Sequence, residues 1–157
     1  MKRLSAKIIL EVTVATITLL CSAIFLIDYY QDKQTKDISG AWKFTFTIKE
    51  SAMPKYIGMT AGYKIYITQE GKKIKGKGEK FWINNKEIPS LQHDPLTFEG
   101  QIEDGVLKAQ YELSGVKRNS FGEFTVNVNE DSEVSQIQGS FCGSAADTKG
   151  EVTASKE

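Results

Sequence analysis

The chain has 157 residues, room for one domain and an additional segment, with 25% charged and 10% aromatic residues, so a disordered composition is excluded. Lys+Arg and Asp+Glu both number 20, and zero net charge excludes the broad basic surface of a general nucleic-acid binder. The single histidine, His93, and the two cysteines, Cys21 and Cys142, fall short of a His-based zinc site or a disulfide-stapled scaffold, so neither metal nor cofactor is expected.

The N-terminus opens with Lys2, Arg3 and Lys7 and no acid; residues 8–27 are then mostly apolar, with Glu11 the one charge. Twenty residues of helix span the ~30 Å hydrocarbon core of a bilayer. The spacing predicts a transmembrane signal-anchor within residues 1–27, its basic end cytoplasmic and the remainder outside. Tyr29 and Tyr30 follow where interfacial aromatics are favoured. A cleaved signal peptide cut after Ala23 is the rival, and it leaves Ile24–Ile27 at the start of the mature chain. Residues 28–37, DYYQDKQTKD, are polar throughout and predict a short tether, about 33 Å when extended.

From residue 38 the hydropathy period becomes two. Trp42, Phe44, Phe46 and Ile48 alternate with Lys43, Thr45, Thr47 and Lys49, the signature of a half-buried strand. Similar faces recur at Tyr63/Ile65/Ile67, Phe98/Gly100/Ile102, Leu107/Ala109/Tyr111/Leu113, Gly122/Phe124/Val126/Val128, Ile137/Gly139/Phe141 and Val152/Ala154. Residues 73–83 add a strand with Ile74, Gly76, Gly78 and Trp82 read in one phase. Short polar joints, a Gly71 hairpin and a type I′-like turn at Asp104-Gly105 link them. The count is about eight antiparallel strands, an all-β up-and-down barrel over residues 38–157. Inward glycines either let the barrel bend or leave room for a ligand. Two longer joints, 51–60 and 84–95, break the meander; the first is apolar for a loop and suits a lid over the barrel mouth.

Ile38-Ser39-Gly40-Ala41-Trp42 resembles the Gly-x-Trp start of the first strand in lipocalins and other calycins. The resemblance implies that Gly40 turns the chain inward and that Trp42 plugs the closed end of an eight-stranded barrel. It departs from the family late in the chain, where lipocalins place an arginine against the tryptophan and this sequence has only Lys149 and Lys156. The chain is thus similar to a divergent bacterial lipocalin-like domain. The implied location is the bacterial cytoplasmic membrane, single-pass, with the C-terminal domain on the extracytoplasmic side.

Candidate ligand-binding residues are Tyr63, Trp82 and Tyr111, amphipathic side chains with an interior phase, and Arg118 as a cation at the mouth. Lys73, Lys75 and Lys77 share an outer face that Glu99 and Glu103, outward on the next strand, can pair with. His93-Asp94 is the one acid–base juxtaposition, and no partner or motif accompanies it, so no catalytic residue is assigned. Two functions follow. One is a membrane-anchored module binding a small apolar or amphipathic ligand. The alternative is a non-enzymatic envelope interaction protein with a filled barrel, acting through loops or anchor on a protein partner of unknown kind. An internal cavity of roughly 300 Å3 or more separates the first from the second.

Overall fold

The computed structural model describes residues 6–34, 36–115, 119–128 and 136–157, with side chains 6–10, 28 and 30–34 left aside. It divides into two compact units, Met1–Thr35 and Lys36–Glu157. The first is a helix, α1 (Ala6–Gln34). It runs on through residues 28–34, so most of the stretch read as a short polar tether is helical. Every side chain described from 11 to 27 is exposed. The hydroxyls of Thr16, Thr18 and Ser22 donate to the carbonyls of Val12, Val14 and Thr18 at 2.8–2.9 Å.

The transmembrane expectation is upheld as a helix and not as a crossing. Among the described residues, no helix is long and apolar enough to cross a membrane. The described side chains cover about 25 Å of helix, begin at Glu11 and are diluted by Thr13, Thr16, Thr18 and Ser22.

The second unit is a closed antiparallel barrel. Its strands are β1 (Gly40–Glu50), β2 (Thr60–Glu70), β3 (Lys73–Ile83), β5 (Pro95–Glu103), β6 (Val106–Ser114), β7 (Asn119–Asn127), β8 (Gln136–Gly143) and β9 (Thr148–Lys156). A two-residue strand, β4 (Lys86–Glu87), folds back on the end of β3. Each long strand pairs with the next one in the chain, and β9 returns to β1, so eight strands close without an edge. Alternation explains the closure. Trp42, Phe44, Phe46 and Ile48 are buried while Lys43 and Lys49 face water, and β2, β5, β7 and β8 follow the same rule. The Asp104-Gly105 turn has positive φ at both residues (50° and 72°), as a type I′ hairpin requires.

One end of the barrel is plugged. Trp42 is fully buried, and its indole Nε1 donates to the Ile38 carbonyl at 2.8 Å. Gly40 takes φ +124°, which directs the chain into the barrel. Lys156 Nζ lies 5.9 Å from the centre of the Trp42 ring. Gln69 secures the same end, accepting from the Ile38 amide at 2.9 Å and donating to the carbonyls of Lys36 and Gly71.

Aromatic rings fill the middle. Phe44, Phe98 and Phe124 meet with centroids 5.0–6.1 Å apart, Phe98 and Phe124 edge to face. The inward glycines serve this packing rather than a ligand. A Cβ on Gly76 would stand 2.1 Å from the Phe98 ring, and one on Gly139 would strike the Thr125 carbonyl at 1.8 Å. Lys75 and Glu99 face each other on β3 and β5 and pair at 3.2 Å, as their outward phase predicts.

Replacing Trp42 with Ala is expected to cost about 3–5 kcal/mol of unfolding free energy, and Lys156→Ala about 0.5–1 kcal/mol. Guanidinium unfolding of the 36–157 unit checks both values.

Candidate functional site

The barrel opens at the end opposite Trp42. There the joints 51–59, 84–94 and 144–147 gather, because each follows an odd passage of the meander. A cavity of about 190 Å3 lies in this mouth, walled by Phe46, Tyr63, Leu96, Tyr111, Leu113 and Phe141. It is smaller than the roughly 300 Å3 that separates a roomy ligand chamber from a filled barrel, so among the described residues the interior is largely filled by side chains, with this cavity at its mouth.

Strand phase places most of the walls. Phe46 touches Phe141 and Tyr63 edge to face, with centroids 5.1 and 5.3 Å apart. The 51–59 joint forms the roof. Pro54–Tyr56 makes a single 3-10 turn, and Tyr56 and Met59 line the cavity and pack on the core. The joint is latched to its neighbour, since Ser51 Oγ and the Ala52 amide both donate to the Ala146 carbonyl, at 3.0 and 2.9 Å. On the far wall, Thr60 and Asn84 exchange two hydrogen bonds of 2.9 Å.

Of the four expected ligand residues, the structure brings two together. Tyr63 and Tyr111 both line the mouth cavity. Tyr63 is buried, and Tyr111 donates from its hydroxyl to the Cys142 carbonyl at 3.3 Å. Arg118 lies outside the described residues. Trp82 is a correction, because it is on the outside of the barrel. The pairing of β2 with β3 slips by one residue between Gly62 and Tyr63, so Tyr63 faces Lys80 while Gly62 faces Trp82. That bulge inserts an extra residue and reverses the phase of everything after it. The Trp82 ring then lies over Gly62, so close that a Cβ there would be 1.8 Å from Nε1.

The residue that takes the inward position is Lys80. Its side chain is 14% exposed and is ion-paired with Asp94, itself 16% exposed. The Lys80 amide also donates to the Asp94 carbonyl at 3.0 Å, so strand and loop are joined twice. Counting by twos from Ile74 through Gly76 and Gly78 reaches Lys80, a signal in the sequence that the aromatic pair Phe81-Trp82 obscures. The juxtaposition His93-Asp94 is pulled apart. Asp94 holds Lys80, whereas His93 sets Nδ1 3.1 Å from Glu79 and Nε2 3.1 Å from the Ile88 carbonyl. Among the described residues, no cluster of three or more His, Cys, Asp or Glu side chains is placed to hold a metal ion.

Burial sets the electrostatics of the mouth. It pushes the Tyr63 hydroxyl far above its ordinary value of 10.0, with Tyr111 and Asp94 adding to the effect. Tyr111 is pushed up to about 12, chiefly by burial and secondarily by Cys142. Both phenols stay protonated in the folded barrel where they would ionise unfolded. Above pH 10 the folded state holds more protons than the unfolded one, so its stability falls as pH rises. The contribution is complete below pH 10 and is lost through about pH 12 and beyond. Denaturant midpoints measured from pH 8 to 12 are expected to decline above pH 10, and Tyr111→Phe to reduce the decline. Ultraviolet titration is expected to show Tyr63 and Tyr111 ionising above the ordinary tyrosine value.

Compared with known protein families and with curated proteins, the chain matches none. The structure therefore assigns it a fold, a closed eight-stranded antiparallel barrel with one plugged and one open end.

Proposed function

We propose that the chain is a membrane-anchored, extracytoplasmic lipocalin-like module that takes a small apolar or amphipathic ligand in its mouth. The cavity of about 190 Å3 falls short of the roughly 300 Å3 of a roomy chamber, and the observation that carries this reading is its apolar lining under the 51–59 roof, with the Lys80–Asp94 pair at the border, which suits a short ligand only. At ~30 Å3 for each water-sized group, it suits an alkyl chain of about six carbons. The Lys80 ammonium, held by Asp94, sets a polar group at the cavity's border.

The lipocalin reading draws support from Gly40, Trp42 and Lys156 at the plugged end. The anchor draws support from α1. Val12, Ile17, Leu19, Leu20 and Phe25 are all exposed, on every side of the helix. Exposed apolar side chains on every side of a helix suit a bilayer better than a protein surface, although hydroxyls are interspersed among them. Its Thr and Ser hydroxyls bond back to carbonyls four residues earlier, which leaves fewer polar groups unsatisfied in lipid.

Calorimetry of the 36–157 unit with straight-chain alcohols and carboxylates tests the mouth. Affinity is expected to rise about fourfold per added methylene, level off near six to eight carbons, and fall at least tenfold in Leu113→Trp. Absence of any chain-length dependence sinks the ligand reading. For topology, Lys108→Cys in a background of Cys21→Ser and Cys142→Ser is expected to react with an impermeant maleimide in intact cells. The protein is expected to stay with membranes in alkaline carbonate, and release into the supernatant counts against the anchor.

A second reading has one observation in its favour. Met53, Ile57, Leu91 and Phe121 are exposed apolar residues at the mouth end, Leu91 at 96%. They suit a filled barrel that meets a protein partner through its loops.

A further inference from the structure

The outer face of the barrel is charged over β3, β5 and β6, which present Lys73, Lys75, Lys77, Glu99, Lys108 and Glu112. One strip differs. Strand register sets Trp82 opposite Gly62, Gly62 opposite Thr45, and Thr45 opposite Thr153. Thr153 is opposite Gln138, and Gln138 opposite Asn127. The row crosses β3, β2, β1, β9, β8 and β7 on the outside without a charge. A groove of about 630 Å3 runs along it, walled at one end by Phe81 and Trp82.

The wall is stiff. Phe81 and Trp82 meet edge to face at 6.2 Å, and Lys64 Nζ sits 5.0 Å from the Phe81 ring centre. The floor is unoccupied chemistry. Among the described residues, nothing in the protein hydrogen-bonds the side chains of Thr45, Gln138, Thr153 or Asn127, or the indole N–H of Trp82. The other tryptophan contrasts with it, since Trp42 is buried with its N–H satisfied.

These features select a ligand class. An apolar ligand would strand the amides and hydroxyls of the floor. A cation finds no acid on the row. An anion finds Lys43 at the edge, but Glu157 already pairs with it at 2.8 Å. What remains is a neutral molecule with an apolar face for the indole and many hydroxyls for the amides and threonines. A pyranose ring has both, and a strip several strands wide accommodates several rings. We propose that this strip binds an uncharged oligosaccharide chain, with Trp82 as the stacking platform and Gln138, Thr153 and Asn127 as hydrogen-bonding partners. The proposal is independent of the mouth cavity.

The test is titration calorimetry of the full chain in lipid nanodiscs with chitotetraose, cellotetraose and maltotetraose, and with tetragalacturonate as the anionic comparison. At least one neutral tetrasaccharide is expected to bind saturably and more tightly than tetragalacturonate. Trp82→Ala is expected to weaken binding about tenfold or more, in line with loss of a stacking platform, whereas Trp82→Tyr keeps it within about threefold. Should Trp82→Ala fail to fold, the pair Gln138→Ala and Thr153→Ala is expected to lose about tenfold. No saturable binding of any neutral sugar overturns the proposal. So does tighter binding of the anionic one, or undiminished binding by a folded Trp82→Ala or by the double variant.

Discussion

The pairing of β9 with β1 is the constraint on which everything else rests. Without it the meander would leave two open edges, each a row of unpaired amides and carbonyls. With it the interior has a fixed cross-section, and the side chains of β1 must fill it. Trp42 meets Phe44 edge to face within β1, and Phe44 and Phe46 engage Phe124 of β7 and Phe141 of β8. The strand that closes the barrel is thus also the one that fills it. Polar termini at the plugged end are drawn into this arrangement through Gln69 and Lys156.

A solid axis leaves the open end as the place where the interior can admit anything. Phe46, Tyr63 and Tyr111 line it, and the roof over them is tied at its start to the Ala146 carbonyl and at its end to Ile48 of β1. The Lys80–Asp94 pair brings two opposite charges to a mostly buried site beside an apolar wall. Such a pair is expensive to desolvate and is weak support for stability. Its position makes better sense as a polar marker at the pocket's border. The mouth and the uncharged strip outside the barrel share no lining residue.

Much of this was legible in the sequence because a strand's period of two is rigid. Trp42, Ile65, Phe98, Leu107, Phe124 and Val152 all proved inward. The Asp104-Gly105 turn and the roof over the mouth were legible for the same reason, from residue types that permit few conformations. The size of the interior was not. Whether glycines make space or merely accommodate rings depends on partners across the barrel, and Phe98 over Gly76 is a tertiary fact. The Asn84-Asn85 turn, both residues at positive φ (49° and 60°), lacks the usual glycine and hid β4 inside a loop. The helical continuation to Gln34 was missed because polar residues carry no period once the apolar run ends. Trp82 was misplaced because a bulge has no composition of its own.

That bulge has a reach beyond its own residue. Lys80 and Trp82 would lie on the same side of an unbroken strand, and the inserted Phe81 sends them to opposite sides. One residue therefore decides both the polar border of the mouth and the aromatic wall outside. The inner and outer surfaces of the barrel are coupled by parity alone, with no side-chain contact required between them. A single deletion there would exchange solvent for core on one element while leaving the composition almost untouched. Among homologous chains, the spacing between the inward lysine and the outward tryptophan would carry more information than the identity of either.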